Sequence, residues 1–102
     1  MSDDAEMVIR LDAELQAIVP KYLGNRARDC VALRDYVANQ AFAEAKRLGH
    51  NMKGTGGGYG FDEISRLGDL IEQAAAAGEG QRIRVLADEL ADFLARVKPV
   101  YS

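Results

Sequence analysis

His50 is the only histidine in the chain, and it stands in the string Leu48-Gly49-His50-Asn51-Met52-Lys53-Gly54-Thr55. An imidazole in water titrates at about pH 6.5, so near neutrality most rings are uncharged and one nitrogen carries a free lone pair. Such a ring is a nucleophile. Zinc and haem sites recruit several His, Cys or carboxylate ligands. Here neither a second histidine nor a second cysteine accompanies His50 and Cys30, so no metal is expected. No serine, histidine and carboxylate grouping stands out, and an exposed helix face lacks the water exclusion that general acid–base catalysis exploits. Covalent transfer remains, in which a ring nitrogen accepts a group from one protein and hands it to another. A phosphoryl group suits that chemistry best.

Laid on a helix from Ala41 to Tyr59 that advances about 100° per residue, Phe42, Ala45, Gly49, Met52, Gly56 and Tyr59 share one apolar face. His50 then points roughly 130° from the centre of that stripe, beside Ala43, Lys46, Arg47, Gly54 and Gly57. Lys53 and Gly54, three and four residues on, border the same patch, where the ammonium offsets phosphate charge and the glycine leaves room for approach. Lys46 and Arg47, one turn earlier, add basic candidates for a docking face. Taken singly, each cation reads equally well as a solvated surface charge.

The run Gly54-Thr55-Gly56-Gly57-Gly58-Tyr59-Gly60 conflicts with an unbroken helix, since each interior glycine costs about 1 kcal/mol relative to alanine. Propensity alone would stop the helix at Lys53. The spacing of Gly49, Met52, Gly56 and Tyr59 nonetheless persists through the run, so the helix is extended to about Tyr59 with tertiary packing holding it. Phosphate-cradling motifs do not fit. A dinucleotide fingerprint would need glycine where Tyr59 stands and a preceding strand, and a P-loop would need lysine after Gly54 rather than before it.

The remaining elements must carry this segment. Ala, Leu, Arg, Glu and Gln are plentiful, and the two prolines, Pro20 and Pro99, leave a long interior free of that breaker. Leu11 to Val19 reads as a short opening helix, with Pro20 in the first turn of the next. Leu23, Ala27, Cys30, Leu33 and Val37 mark that second helix, and Ala38-Asn39-Gln40 a junction. Asp62 is a candidate N-cap for a helix striped by Ile64, Leu67, Ile71 and Ala74, which Ala77-Gly78-Glu79-Gly80 ends. Ile83, Leu86, Leu90, Phe93 and Val97 stripe the last helix, which closes before Pro99. No strand-like alternation is visible. Short connections between amphipathic helices predict an all-α fold, an antiparallel up-down four-helix bundle over about 20–98 with a short additional N-terminal helix over about 11–19.

At 102 residues the chain fits one domain, 1–102, with one core. Thirteen basic and sixteen acidic residues give a net charge of −3, which draws the chain to neither nucleic acid nor anionic lipid. Cys30 shares an apolar spacing and reads as a small core residue. No apolar run is long enough to span a membrane, and the acidic start Met1-Ser2-Asp3-Asp4 lacks the features of a secretory leader, so a cytoplasmic location is expected.

His50-Asn51-Met52-Lys53-Gly54-Thr55, followed by Gly60-Phe61 and by Leu70-Ile71-Glu72-Gln73-Ala74-Ala75, resembles the histidine phosphotransfer (HPt) domains of multistep bacterial phosphorelays. The resemblance spans nearly the whole chain. It implies a phosphoryl group carried on His50, with Lys53 as the phosphate-supporting residue and Gly54 as the clearance position. It also implies no kinase activity and no cofactor on this chain. In that family the catalytic aspartate and Mg²⁺ belong to a partner receiver domain, which docks over the histidine helix. Glycine at 56, 57 and 58 departs from the usual alanine or serine, and Gly49 replaces a frequent alanine, which is expected to loosen packing. The expected role is a phosphocarrier between receiver aspartates, with response-regulator receivers or a hybrid histidine kinase as partners. A free-standing monomer is expected, although an excised kinase domain would look the same. The alternative is a helical docking module that binds a receiver or kinase without being phosphorylated.

Overall fold

The computed structural model describes residues 5–102; the acidic start, residues 1–4, lies outside the described residues. Four helices dominate it: α1 (Val19–Ala38), α2 (Phe42–Thr55), α3 (Asp62–Ala76) and α4 (Gly80–Arg96). Pro20 lies in the first turn of α1, where its missing N–H leaves no bond unmade. The stripes read from the sequence meet in one core, in which Leu33, Met52, Phe61, Ile64, Leu67, Ile71, Ile83 and Leu90 are fully buried. Cys30 is also buried, its thiol close to the Arg26 carbonyl, and burial pushes its pKa up, as expected of an inert core residue.

The chain termini depart from the expected pattern. The opening helix over 11–19 does not form: Leu11 ends a strand, β1 (Met7–Leu11), and only a single 3₁₀ turn, Ala13–Leu15, follows. Asp12 caps that turn by accepting the Glu14 N–H at 2.9 Å, and the chain restarts as α-helix at Val19. Past α4, Val97–Tyr101 forms β2, parallel to β1, with Met7 opposite Val97 and Leu11 opposite Tyr101. The fold is therefore helical with one added strand pair joining its two ends. Met7, Ile9, Val97 and Tyr101 lean on the core, and Leu11 is buried enough to join it.

The packing of α2 on α3 decides the geometry of the site. The two run in opposite senses, with Gly56 against Ser65 and Gly49 against Gly68 and Glu72. A Cβ on Gly49 would lie 2.7 Å from the Glu72 amide nitrogen and 2.8 Å from the Gly68 carbonyl oxygen; one on Gly68 would lie 2.5 Å from the Lys53 amide nitrogen. Gly49 thus tightens the packing instead of loosening it, because its missing side chain is what lets the two backbones touch. Gly49→Ala sets a helix-propensity gain of about 1 kcal/mol against an overpacking cost of about 1–3 kcal/mol. The obstructing atoms are backbone on both sides, so the cost should win. A urea titration should show net destabilisation, whereas an unchanged or raised midpoint would mean that the helices have room to part.

Candidate functional site

α-Helical geometry in α2 ends at Thr55, and Gly57–Tyr59 continues as a 3₁₀ turn rather than as the α-helix extended to Tyr59 in the sequence reading. Gly60 then turns the chain at φ +91°, a conformation open to glycine. Tertiary contacts hold this junction as anticipated. Tyr59 stacks on Tyr22 of α1 with ring centroids 4.0 Å apart, and the Tyr22 hydroxyl meets Thr55 Oγ1 at 2.9 Å. Ser65 accepts the Gly57 N–H and donates to the Lys53 carbonyl, tying the last turn of α2 to α3. Asp62 is the first residue of α3 rather than its cap, and makes no side-chain capping bond.

On this support His50 stands at the surface of α2 with 69% of its side chain exposed. Its Nδ1 lies 3.1 Å from Glu72 Oε2 on α3. Glu72 is the more enclosed partner, its side chain 22% exposed, so the carboxylate is the fixed end of the pair. An ionised carboxylate only accepts, so the bond places a proton on Nδ1, and in the neutral ring Nε2 is then the nitrogen with the lone pair.

Lys53, one turn beyond, does not extend freely into solvent. Its Nζ sits 3.2 Å from Asp69 Oδ1 and 3.7 Å from Glu72 Oε1. The hydrogen bond and charge of Asp69, joined by the charge of Glu72, raise the Lys53 ammonium above the ordinary lysine range, so it stays protonated well past neutrality. Asp69 is itself held below the usual carboxylate range, first by the Gln73 amide at 3.1 Å and then by Lys53. His50 and Lys53 thus share their surface with two carboxylates of α3, Asp69 and Glu72. The basic patch expected from α2 alone is offset by α3.

The other candidates divide. Gly54 is exposed and a Cβ there would meet nothing within 4 Å, so the space above it is open. Gly57 is exposed in the 3₁₀ turn, where a Cβ would make ordinary contact with Asp62 and Ser65 at 3.6 and 3.7 Å. Lys46 and Arg47 are on the surface of α2, but no bond joins either to His50, and Arg47 is paired with Glu44 at 2.8 Å. Asp69 and Gln73 were missed. Their signal was available, because Asp69, Glu72 and Gln73 stand at the three-and-four spacing that shares a helix face. The motif contains Glu72 but by itself gives it no chemical role.

Comparison with known proteins adds an independent observation. A family model described as Hpt domain matches residues 10–98, most of the chain. No curated protein and no solved structure matches it.

Proposed function

Because the chain belongs to the Hpt domain family, whose members carry phosphoryl groups on histidine in two-component phosphorelays and work with receiver domains and histidine kinases, we propose that Nε2 of His50 is its phosphoacceptor. Hpt domains are carriers rather than autonomous enzymes and need no cofactor of their own. In the forward step the Nε2 lone pair attacks the phosphorus of a receiver aspartyl-phosphate. The P–O bond to that aspartate breaks, and its electrons leave with the receiver's carboxylate. The ring, now bonded to phosphorus and still protonated at Nδ1, carries positive charge that the Glu72 carboxylate faces. In the onward step a second receiver's aspartate attacks the phosphorus, and the P–N electrons return to Nε2. The Mg²⁺ that offsets phosphoryl charge belongs to the receiver. The setting proposed for this relay is the cytoplasm.

The observation that carries this reading is the His50–Glu72 pair, which occupies one nitrogen of a largely exposed ring and, among the described residues, leaves the other without a partner. The test is transfer from receiver domains charged with acetyl phosphate. Label on the chain should be acid-labile and base-stable, as a phosphoramidate is. A chain that binds those receivers yet takes up no label would instead be a docking module.

Lys53 has a subsidiary part. It leaves Asp69 to bond the phosphoryl oxygens as they arrive, and Gly54 gives them clearance. A charge-assisted hydrogen bond made at an exposed site is a modest one, so Lys53→Ala should slow acceptance roughly tenfold without abolishing it. Unchanged rapid-quench rates would remove Lys53 from the mechanism.

A further inference from the structure

Among the described residues the strand pair has an open edge. Ser102 N–H donates to the Leu11 carbonyl at 3.1 Å, and Ala13 N–H donates to the Ser102 carbonyl at 3.3 Å. Those two bonds fix the parity of the parallel ladder. A strand residue points its N–H and C=O the same way, so Met7, Ile9 and Leu11 aim theirs at β2 while Val8 and Arg10 aim theirs away. Pro99 agrees, since it is opposite Ile9 on β2, where an N–H would also point away from the ladder. Proline blunts the outer edge of β2. Nothing comparable blunts β1: among the described residues no backbone or side-chain group bonds the amides of Val8 or Arg10. Val8, moreover, is 60% exposed, an apolar side chain at the middle of a strand paired on one edge alone. Such an edge is a template for another strand.

Charge selects the strand that fits. Glu6, Val8 and Arg10 share the outward face, with Lys98 of β2 the other charge beside them, 3.7 Å from Glu6. In an antiparallel pairing of β1 with itself centred on Val8, Val8 faces the partner's Val8, Glu6 faces the partner's Arg10, and Arg10 faces the partner's Glu6. Val8 and Arg10 have their N–H and C=O turned outward, so the central Val8 pair exchanges both backbone bonds. Shifting the centre to Ile9 sets Glu6 against the partner's Asp12, and shifting it to Arg10 sets two arginines face to face. Opposite charges across a strand pair stabilise and like charges destabilise.

We infer that β1 is a homodimerisation strand, joining two copies about a twofold axis through Val8 into a continuous β2-β1-β1-β2 sheet. The monomer expected from the sequence took no account of this edge. The sheet extends from α1 and α4, whereas His50 stands on α2 against α3, so the two surfaces use different elements.

Sedimentation equilibrium on the full chain, from micromolar to millimolar concentration, tests the inference. Wild type should show a monomer–dimer equilibrium. Val8→Pro deletes an N–H that the intramolecular ladder does not use, so the helical circular dichroism should persist while dimerisation weakens at least about tenfold. Glu6→Arg and Arg10→Glu should each weaken dimerisation roughly tenfold, and the double exchange should restore it. Restoration cannot come from a general loss of folding. A chain that stays monomeric at millimolar concentration, or a dimer indifferent to all these changes, overturns the inference. Phosphoryl acceptance by His50 in the Val8→Pro chain is a separate readout, so failure of either proposal is visible without the other.

Discussion

A His50→Gln chain is expected to fold as wild type does and to take up no phosphoryl group from any charged receiver, a loss of at least about a thousandfold in acceptance. The two halves of that expectation have different physical grounds. The side chain is mostly in solvent, outside the core, and exposed substitutions of this kind usually move stability by less than about 0.5 kcal/mol. Glutamine can also donate an amide hydrogen to Glu72, so that carboxylate need not lose its partner. What it lacks is a nucleophilic nitrogen, because the amide lone pair is delocalised into the carbonyl. Circular dichroism and urea unfolding check the first half, and labelled transfer from several receivers checks the second. Residual acid-labile label on the variant would place the acceptor elsewhere.

Glu72→Ala should cost acceptance roughly tenfold to a hundredfold, the range seen when the carboxylate partner of a ligating imidazole is removed. Two effects combine. Without Glu72 the ring is free to carry its proton on Nε2, the tautomer water favours, which blocks the attacking nitrogen. The positive charge that develops as the P–N bond forms also loses the anion 3.1 Å away. The variant removes one neighbour of Lys53 as well, but the nearer one, Asp69, stays in place. The signature of an orienting role is spectroscopic: the ring ¹⁵N resonances should show the proton on Nδ1 in the wild type and redistributed toward Nε2 in the variant. A rate loss with no change of tautomer would assign Glu72 a purely electrostatic part.

The legible parts of this site were those that one helix determines by itself. His50 and Lys53 share the outer face of α2 by angular arithmetic, and the inner stripe of Ala45, Gly49 and Met52 is buried as that arithmetic requires. The role of Glu72 was not legible, because it depends on the axial register of α3 against α2. Gly49 and Gly68 set that register by letting two backbones touch, and a glycine in a helix reads locally as a weakness. The acidic balance around Lys53 was hidden for the same reason. The strands were hidden by separation and composition. Met7–Leu11 is apolar except for Arg10 and reads equally well as the start of a helix, while Val97–Tyr101 contains a proline that argues against a strand. Parallel pairing between the two ends of a chain leaves no turn signal between them. At 11–19 Leu11 is drawn into the strand pair, and only the single turn that Asp12 caps precedes α1.

The most direct test of the account asks which nitrogen takes the phosphorus. The ¹⁵N-labelled chain, phosphorylated with phosphoramidate or by a charged receiver, can be read by long-range ¹H–¹⁵N correlation and ³¹P coupling. A single phosphohistidine bonded through Nε2 of His50, with the proton retained on Nδ1 beside Glu72, is the result expected. A phosphoryl group on Nδ1, or on any residue other than His50, would contradict it.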